Sequence, residues 1–341
     1  MALSLAIAYA LALPLQFLCP VFSLILGIKP APPIGFKAML ETLTVVLMSL
    51  GVGLLLSPLL VHYPLTGILI VACGIYLSSY LILVAGKVLN GTFLTFGVTL
   101  VSAAGVYDFA FAATLIMALS LGIVVAVFCQ WVVYFWFPEN VPLADKTKTG
   151  KPADSVPEAI DYTHLNWVAI RSILIILPAY LFMLTNPTAY LAVVVKAISL
   201  GRQASTVHAR DAGRELMGST FVGGFFAIVF WFMLDLLPTL WMFSCWMLIF
   251  SVYFVSKIYG ISASRYPPSF WFNVVVTMLI LLGPAVADSA SGKDVYMAFG
   301  VRMGQMIFVT LYAWFAIYMI ELIRHHQILG KSRTSLPIEA V

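Results

Sequence analysis

The chain is built almost entirely from long apolar runs, and the short polar breaks between them recur at a constant spacing. One apolar block ends at Phe137. After a polar stretch comes a second apolar block, which is interrupted by Pro, Gly and Asp residues at matching positions. The matched residues, 173 or 174 positions apart, are Pro14 and Pro187, Gly27 and Gly201, Pro64 and Pro238, and Gly86 and Gly260. Asp108 and Asp294 match at 186 positions. This repetition predicts two related bundles in one chain, with a seam between them.

The amino-acid composition indicates whether these bundles are surrounded by water or by lipid. Hydrophobic residues make up 62% of the chain, charged residues only 9%, and the mean hydropathy is +1.03. An ordinary soluble domain carries about 25% charged residues. The apolar runs are continuous instead of alternating over about ten residues, which indicates helices and excludes a transmembrane barrel. We therefore predict an all-α integral membrane protein in contact with lipid.

The apolar runs number six in each half, which predicts about twelve transmembrane segments. They cover approximately 2–13, 15–28, 38–62, 65–86, 90–106, 108–137, 167–185, 188–200, 212–236, 238–258, 268–287 and 294–324. Several, including 2–13 and 188–200, are shorter than the ~20 residues of a full helical span. An even number per half makes the two repeats parallel.

The distribution of Lys and Arg predicts the orientation. With six segments per half and an inward N-terminus, the basic residues of the short loops fall on the cytoplasmic side, and only Lys293 falls outside. Both termini are then cytoplasmic. The predicted organisation is a first membrane repeat at 1–137, a cytoplasmic linker at 138–165, a second repeat at 166–326 and a cytoplasmic tail at 327–341.

Several function classes have no support in the sequence. The linker is too short for a nucleotide-binding domain, and no Gly-rich phosphate loop with its Lys is present. The basic residues are scattered, so the net charge of +4 does not indicate nucleic acid as a partner. The five His and four Cys residues show no metal-ligand spacing. We expect no metal, no cofactor and no enzymatic activity.

Two stretches resemble a known family. Pro187 to Ala192 reads Pro-Thr-Ala-Tyr-Leu-Ala, and Arg214 to Gly224 reads Arg-Glu-Leu-Met-Gly-Ser-Thr-Phe-Val-Gly-Gly. This resembles the bacterial fusaric-acid-resistance (FUSC-like) and aromatic-acid-exporter superfamily, with a weaker likeness around Gly51-Val52-Gly53 in the first half. The chain resembles a short form, because larger members carry a sizeable cytoplasmic domain between their halves.

The resemblance implies an efflux component of the bacterial inner membrane. Such a protein exports aromatic or other organic acids as small anions, usually together with a periplasmic adaptor (membrane-fusion) protein. The sequence does not determine the oligomeric state and is compatible with a homo-oligomer.

Two basic residues lie deep in apolar segments, where ionisable groups usually mark a pathway. Arg302 lies ~12 Å along the last helix from Asp294, at 1.5 Å per residue. It is flanked by Gly300 and Gly304, a pair that lets another helix approach closely. Lys196 lies near the middle of a short segment. We predict that Arg302, helped by Lys196, binds an organic anion between the halves.

Structural alternatives stand beside both predictions. Arg302 could form an ion pair with Asp288, Asp235 or Asp108. Lys196 could extend its ammonium to the cytoplasmic surface. The amides of Asn273 and Gln305 could line a polar path to the anion or bond across helices.

Proton coupling would require a carboxylate that titrates. Asp108 and Asp294 precede long helices and are candidates, although a carboxylate in that position more often caps the helix. Asp235 and Asp288, expected on outward loop edges, are the other two candidates.

The leading functional hypothesis is proton-driven secondary export of an organic anion. A passive anion channel would use the same cationic centre without a titrating partner. A non-transporting scaffold subunit of an efflux complex is the third hypothesis.

Overall fold

The computed structural model describes residues 1–27, 33–138, 162–203, 209–292 and 294–334. Within these ranges the chain forms twelve helices and no strand, so the all-α prediction is confirmed. The first six are α1 (Ala2–Ala10), α2 (Leu18–Gly27), α3 (Phe36–His62), α4 (Pro64–Leu83), α5 (Val88–Tyr107) and α6 (Phe109–Trp136). The second six are α7 (Tyr162–Thr185), α8 (Pro187–Gln203), α9 (Ala209–Leu236), α10 (Leu240–Ile258), α11 (Pro268–Ala290) and α12 (Val295–Thr334).

Most of the predicted linker 138–165 lies outside the described residues. Helix α12 continues to Thr334, past the predicted end of the second repeat at residue 326.

Helix boundaries follow local sequence signals that recur in both halves. Pro64 and Pro268 occupy the first turns of α4 and α11, where a missing N–H costs nothing. Gly86 and Gly260, which follow α4 and α10, adopt φ angles of +63° and +71°. A left-handed residue is tolerated best when it has no Cβ, so the matched glycines end equivalent helices in the same way.

The two halves have the same internal packing. Each contact between two helices of the first half has a counterpart six helices later in the second half. The matched pairs include α1–α2 with α7–α8, α2–α6 with α8–α12, α3–α5 with α9–α11, α4–α5 with α10–α11, and α3–α6 with α9–α12. The duplication inferred from spacing is therefore also a duplication of structure.

The largest contacts between the halves are reciprocal. Helix α4 packs against α7 while α10 packs against α1, and α5 packs against α8 while α11 packs against α2. This exchange is the signature of a two-fold interface, in which each partner uses the same surface. Tyr9 near the end of α1 contacts Phe243 near the start of α10, with ring centroids 5.0 Å apart. The halves are thus related by a pseudo-two-fold axis.

Charged residues divide the bundle into two ends. The basic end holds Lys37, Lys87, Arg202 and Lys257, at the starts of odd-numbered helices or the ends of even-numbered ones. The acidic end holds Asp108, Asp235, Asp288 and Asp294, at the opposite helix ends.

Nine of the described helices are long and apolar enough to cross a membrane, which makes this a multi-span membrane protein. Helices α5 and α11 are the central ones, with 72% and 78% of their apolar windows buried inside the protein. Their outer neighbours α4 and α10 are each only 28% buried, so their apolar side chains face lipid. Helices α1, α2 and α8, with 9, 10 and 17 residues, are shorter than a full span and line the seam between the halves.

Candidate functional site

A cavity of about 250 Å³ lies at the seam, toward the acidic end of the bundle. Its walls come from both halves: the α1–α2 loop and the start of α6 on one side, and α8, α11 and α12 on the other. The lining residues include Gln16, Phe17, Phe111, Thr188 and Arg302. Arg302 is the one charged residue among the described lining side chains. We call this space the seam cavity.

Arg302 is held by an ion pair with the neighbouring helix. Its Nη2 lies 2.6 Å from Oδ2 of Asp288 on α11, and the two side chains are 22% and 11% exposed. Its other amino nitrogen, Nη1, is enclosed and has no hydrogen-bond partner among the described residues. The ion-pair alternative weighed for Arg302 is therefore present in the structure, and it leaves Nη1 of the guanidinium unsatisfied.

The predicted close helix approach at Gly300 and Gly304 is wrong. A Cβ added at either position would meet nothing within 4 Å, and both residues are exposed. They lie on the face of α12 that points out of the bundle. The close approaches occur elsewhere, where a Cβ on Gly53 would lie 1.8 Å from the carbonyl oxygen of Gly97.

Lys196 lies on α8 and is fully buried. Its Nζ donates hydrogen bonds to Oδ1 of Asn273 at 2.8 Å and to Oγ1 of Thr277 at 2.6 Å. The amide nitrogen of Asn273 in turn donates to Oγ of Ser219 on α9. Extension of the ammonium to the cytoplasmic surface is therefore wrong, because α8 carries Lys196 into the middle of the second half. We call these four residues the lysine cluster.

The lysine cluster has an apolar counterpart in the first half. The position equivalent to Lys196, 174 residues earlier, is Phe22. Phe22 contacts Phe93 on α5, with ring centroids 5.4 Å apart, where Lys196 contacts Asn273 on α11. The frame is duplicated and the buried polar group is not, as the spacing predicted.

The structure does not bring the four predicted substrate-binding residues together. Lys196 and Asn273 meet in the lysine cluster, which does not line the seam cavity. Gln305, half-buried on α12, also lies outside the described lining of the cavity. The sequence pattern missed Phe17 and Phe111, whose position at the seam depends on how the halves dock.

The carboxylates predicted for proton coupling occupy different surroundings. Asp108 accepts a hydrogen bond from the backbone N–H of Ala110 at 3.0 Å, and Asp294 accepts one from Tyr296 at 3.0 Å. Both are exposed helix caps, the alternative weighed for this pair.

Asp235 and Asp288 lie in the last turns of α9 and α11, next to the loops that follow these helices. Asp235 is exposed and lines a second cavity of about 450 Å³ with Tyr9 and Trp231. Asp288 is buried against Arg302. It is the carboxylate that the structure places beside the seam cavity.

The fold and the seam define a pseudo-symmetric, multi-span α-helical membrane protein. A protein-family model described as "Protein of unknown function (DUF2955)" matches residues 1–133, which is almost all of the first repeat. No curated protein and no solved structure matches the chain. The matching family does not carry the name of the fusaric-acid-resistance superfamily, so that resemblance stays a prediction.

Proposed function

We propose that this protein is a secondary transporter that exports small organic acids, including aromatic acids, across the bacterial inner membrane. The observation that carries the proposal is the position of Arg302. A guanidinium with an unpartnered Nη1 lines a cavity whose walls come from both halves of a duplicated membrane bundle. Transporters built from repeats commonly bind their substrate at such a seam.

The chemistry of the seam cavity favours a small monoanion. Arg302 supplies the positive charge and a planar fork of donors suited to a carboxylate. The rings of Phe17 and Phe111 and the apolar side chains of α8 and α11 provide an apolar wall. A volume of about 250 Å³ is below the range of about 300–1,000 Å³ usual for drug-sized ligands. A carboxylic acid with a single ring is therefore the favoured substrate.

Closure of the bundle below the cavity favours a transporter over a passive channel. Toward the basic end, every residue of α8 from Leu191 to Ile198 is buried, and Lys196 is fully enclosed among its partners. A channel requires a continuous polar path, whereas alternating access requires a cavity open toward one side at a time. Rocking of one repeat against the other about the pseudo-two-fold axis would open the opposite side.

The sidedness and the partner of this transporter belong to the same proposal. The bias of Lys and Arg assigns the basic end to the cytoplasm, so the seam cavity faces the periplasm in this conformation. The resemblance to aromatic-acid exporters supports a periplasmic adaptor at the acidic end. Co-purification of an adaptor with the tagged chain tests that partner, and a chain that transports in vesicles without any adaptor would make the adaptor dispensable.

The experiment is efflux of labelled benzoate from loaded proteoliposomes. Wild-type protein is expected to release benzoate faster than empty vesicles, and Arg302→Gln to lower the protein-dependent rate at least about tenfold, the effect of about 1.4 kcal/mol of lost interaction. Arg265→Gln, which removes an exposed loop charge at the basic end, is the matched control and should retain the wild-type rate. Unchanged efflux by Arg302→Gln would remove Arg302 from the binding site.

Transport and channel mechanisms differ in their response to unlabelled benzoate on the far side. A transporter that alternates exchanges labelled for unlabelled substrate, so external benzoate accelerates release of the label. Release through a channel shows no such acceleration. A scaffold subunit releases no benzoate under either condition.

A further inference from the structure

We propose that Asp288 is an internal counter-ion that the substrate carboxylate displaces from Arg302, and that the displaced Asp288 takes up a proton. The inference rests on the proposed function, because it assumes that Arg302 binds the anion. It selects Asp288 among the four carboxylates considered for coupling. It also assigns the sign of the coupling: the anion and the proton bind together.

The ion pair with Asp288 leaves one donor of Arg302 unsatisfied. Asp288 engages Arg302 through a single nitrogen, Nη2, at 2.6 Å. A guanidinium binds a carboxylate most strongly through two parallel N–H donors, and the second amino nitrogen of Arg302 has no partner among the described residues. A substrate carboxylate in the seam cavity could use both donors. Asp288 therefore holds Arg302 in a pairing that a free carboxylate can displace.

Charge balance in the cavity requires a compensating event. Arg302 and Asp288 together are neutral, and the other described lining residues carry no charge. When an anion binds, two negative groups share one guanidinium in apolar surroundings. An unpaired buried charge is costly, and such a group commonly neutralises. A proton on Asp288 restores neutrality.

Asp288 is placed to receive that proton from water at the acidic end. It lies in the last turn of α11, and its side chain is 11% exposed. Asp294, at the start of α12, is exposed and capped onto its own helix. Asp235 faces the second cavity, on the opposite side of α11, together with Val286 and Ser289.

The other described elements around the seam cavity bring no titratable group to Asp288. The α1–α2 loop contributes Gln16, α6 contributes Phe111 and α8 contributes Thr188. The proton taken up on anion binding is therefore assigned to Asp288.

The consequence is electroneutral movement of the acid. One proton accompanies each monoanion, so outward flow is driven by the gradient of the acid itself and is slowed by an acidic exterior. The proton-driven export expected from the sequence would require the opposite linkage, in which a bound proton lowers the affinity for the anion. The two mechanisms make opposite predictions for the proton balance of binding.

Calorimetric titration of benzoate into the purified full-length protein measures that balance. Repeating the titration in buffers with different ionisation enthalpies gives the number of protons taken up per bound anion. We expect uptake of about one proton in the wild-type protein. Asp288→Asn should abolish the uptake and tighten benzoate binding at least about tenfold, because no carboxylate then competes for Arg302.

The matched control is Asp294→Asn, which removes a carboxylate at the same end of the bundle. Asn caps a helix as well as Asp does, so the fold is retained and both proton uptake and affinity should equal those of the wild type. Asp288→Glu should keep the uptake. If Asp288→Asn does not fold, the wild-type measurement still decides whether a proton is taken up with the anion.

Benzoate binding to the wild type without proton uptake overturns the inference and leaves the proposed function standing. Uptake that persists in Asp288→Asn overturns the assignment to Asp288. Absence of benzoate binding to the wild type overturns the proposed function and this inference with it.

Discussion

Lys196 shows how a single residue distinguishes two otherwise matched halves. Its Nζ makes two hydrogen bonds to neutral acceptors, and no carboxylate lies within ion-pair distance of it in the described part of the chain. The equivalent site in the first half is filled by Phe22 and Phe93. Apolar side chains alone can therefore fill this position in the fold. In the second half, the lysine cluster connects α8, α9 and α11 on the side of the seam cavity that faces the basic end, and it closes the cavity on that side.

A double-mutant cycle between Lys196 and Asn273 tests this connection. We expect the free energy of unfolding lost on Asn273→Leu to be about 1–3 kcal/mol smaller in a Lys196→Met background, because the hydrogen bond is already absent there. Thermal unfolding in detergent measures the four proteins. Equal losses in both backgrounds would mean that the two side chains are not coupled.

Helix faces decide which glycines matter. Gly51 and Gly53 lie two residues apart on α3, yet a Cβ on Gly53 would lie 1.8 Å from the carbonyl oxygen of Gly97, whereas one on Gly51 would meet nothing within 4 Å. Gly97 in turn approaches the backbone of Ser49, so α3 and α5 are in backbone contact. In membranes, where the apolar solvent does not drive helices together, such close packing is a main source of stability.

The two glycines therefore make a matched pair of variants. Gly53→Ala is expected to lower the stability of the folded protein by about 1–3 kcal/mol, because backbone atoms cannot move aside. Gly51→Ala should be neutral or raise stability by about 0.5–1 kcal/mol through helix propensity. The midpoint of thermal unfolding in detergent measures both. A Gly53→Ala protein as stable as Gly51→Ala would contradict the backbone contact between α3 and α5.

Gly300 and Gly304 give the corresponding result for α12. Both face outward with open space beside them, so their substitution by Ala should leave folding and benzoate binding at wild-type levels. Impaired binding in either variant would indicate a helix approach at Arg302 that the structure does not contain.

The helices also show which features of the structure a sequence pattern can predict. The number of helices, the repeat, and the caps at Asp108 and Asp294 follow from local signals in the chain. The close helix approach predicted at Gly300 and Gly304 was wrong, and so was the surface position considered for the ammonium of Lys196. Each depends on the rotation of one helix relative to its neighbours, which spacing along that helix does not determine. The pairing of Arg302 with Asp288, rather than Asp235 or Asp108, likewise required the docking of α12 on α11.

At the scale of the whole molecule, the reciprocal contacts predict how the protein moves. Helix α4 meets α7 where the hydroxyl of Tyr76 donates to Oδ1 of Asn166 at 2.6 Å, near the basic end. If the repeats rock against each other about their pseudo-two-fold axis, the separation of such contacts must change during transport. The contacts within each repeat should persist.

Cross-linking across this contact tests the motion. In a background without the four native cysteines, Tyr76→Cys and Asn166→Cys joined by a short bifunctional maleimide should lose most benzoate exchange in proteoliposomes. Each single variant treated with the same reagent is the control and should retain exchange. Full exchange by the completely cross-linked protein would contradict rocking of the repeats.

The most direct test of the account is charge recognition at Arg302. Equilibrium binding of labelled benzoate to the purified protein is compared with binding of benzamide, which has nearly the same shape and no charge. The account predicts that the wild-type protein prefers benzoate at least about tenfold, and that Arg302→Gln abolishes this preference. Equal binding of the two compounds by the wild type, or an undiminished preference in Arg302→Gln, would contradict an anion site at the seam.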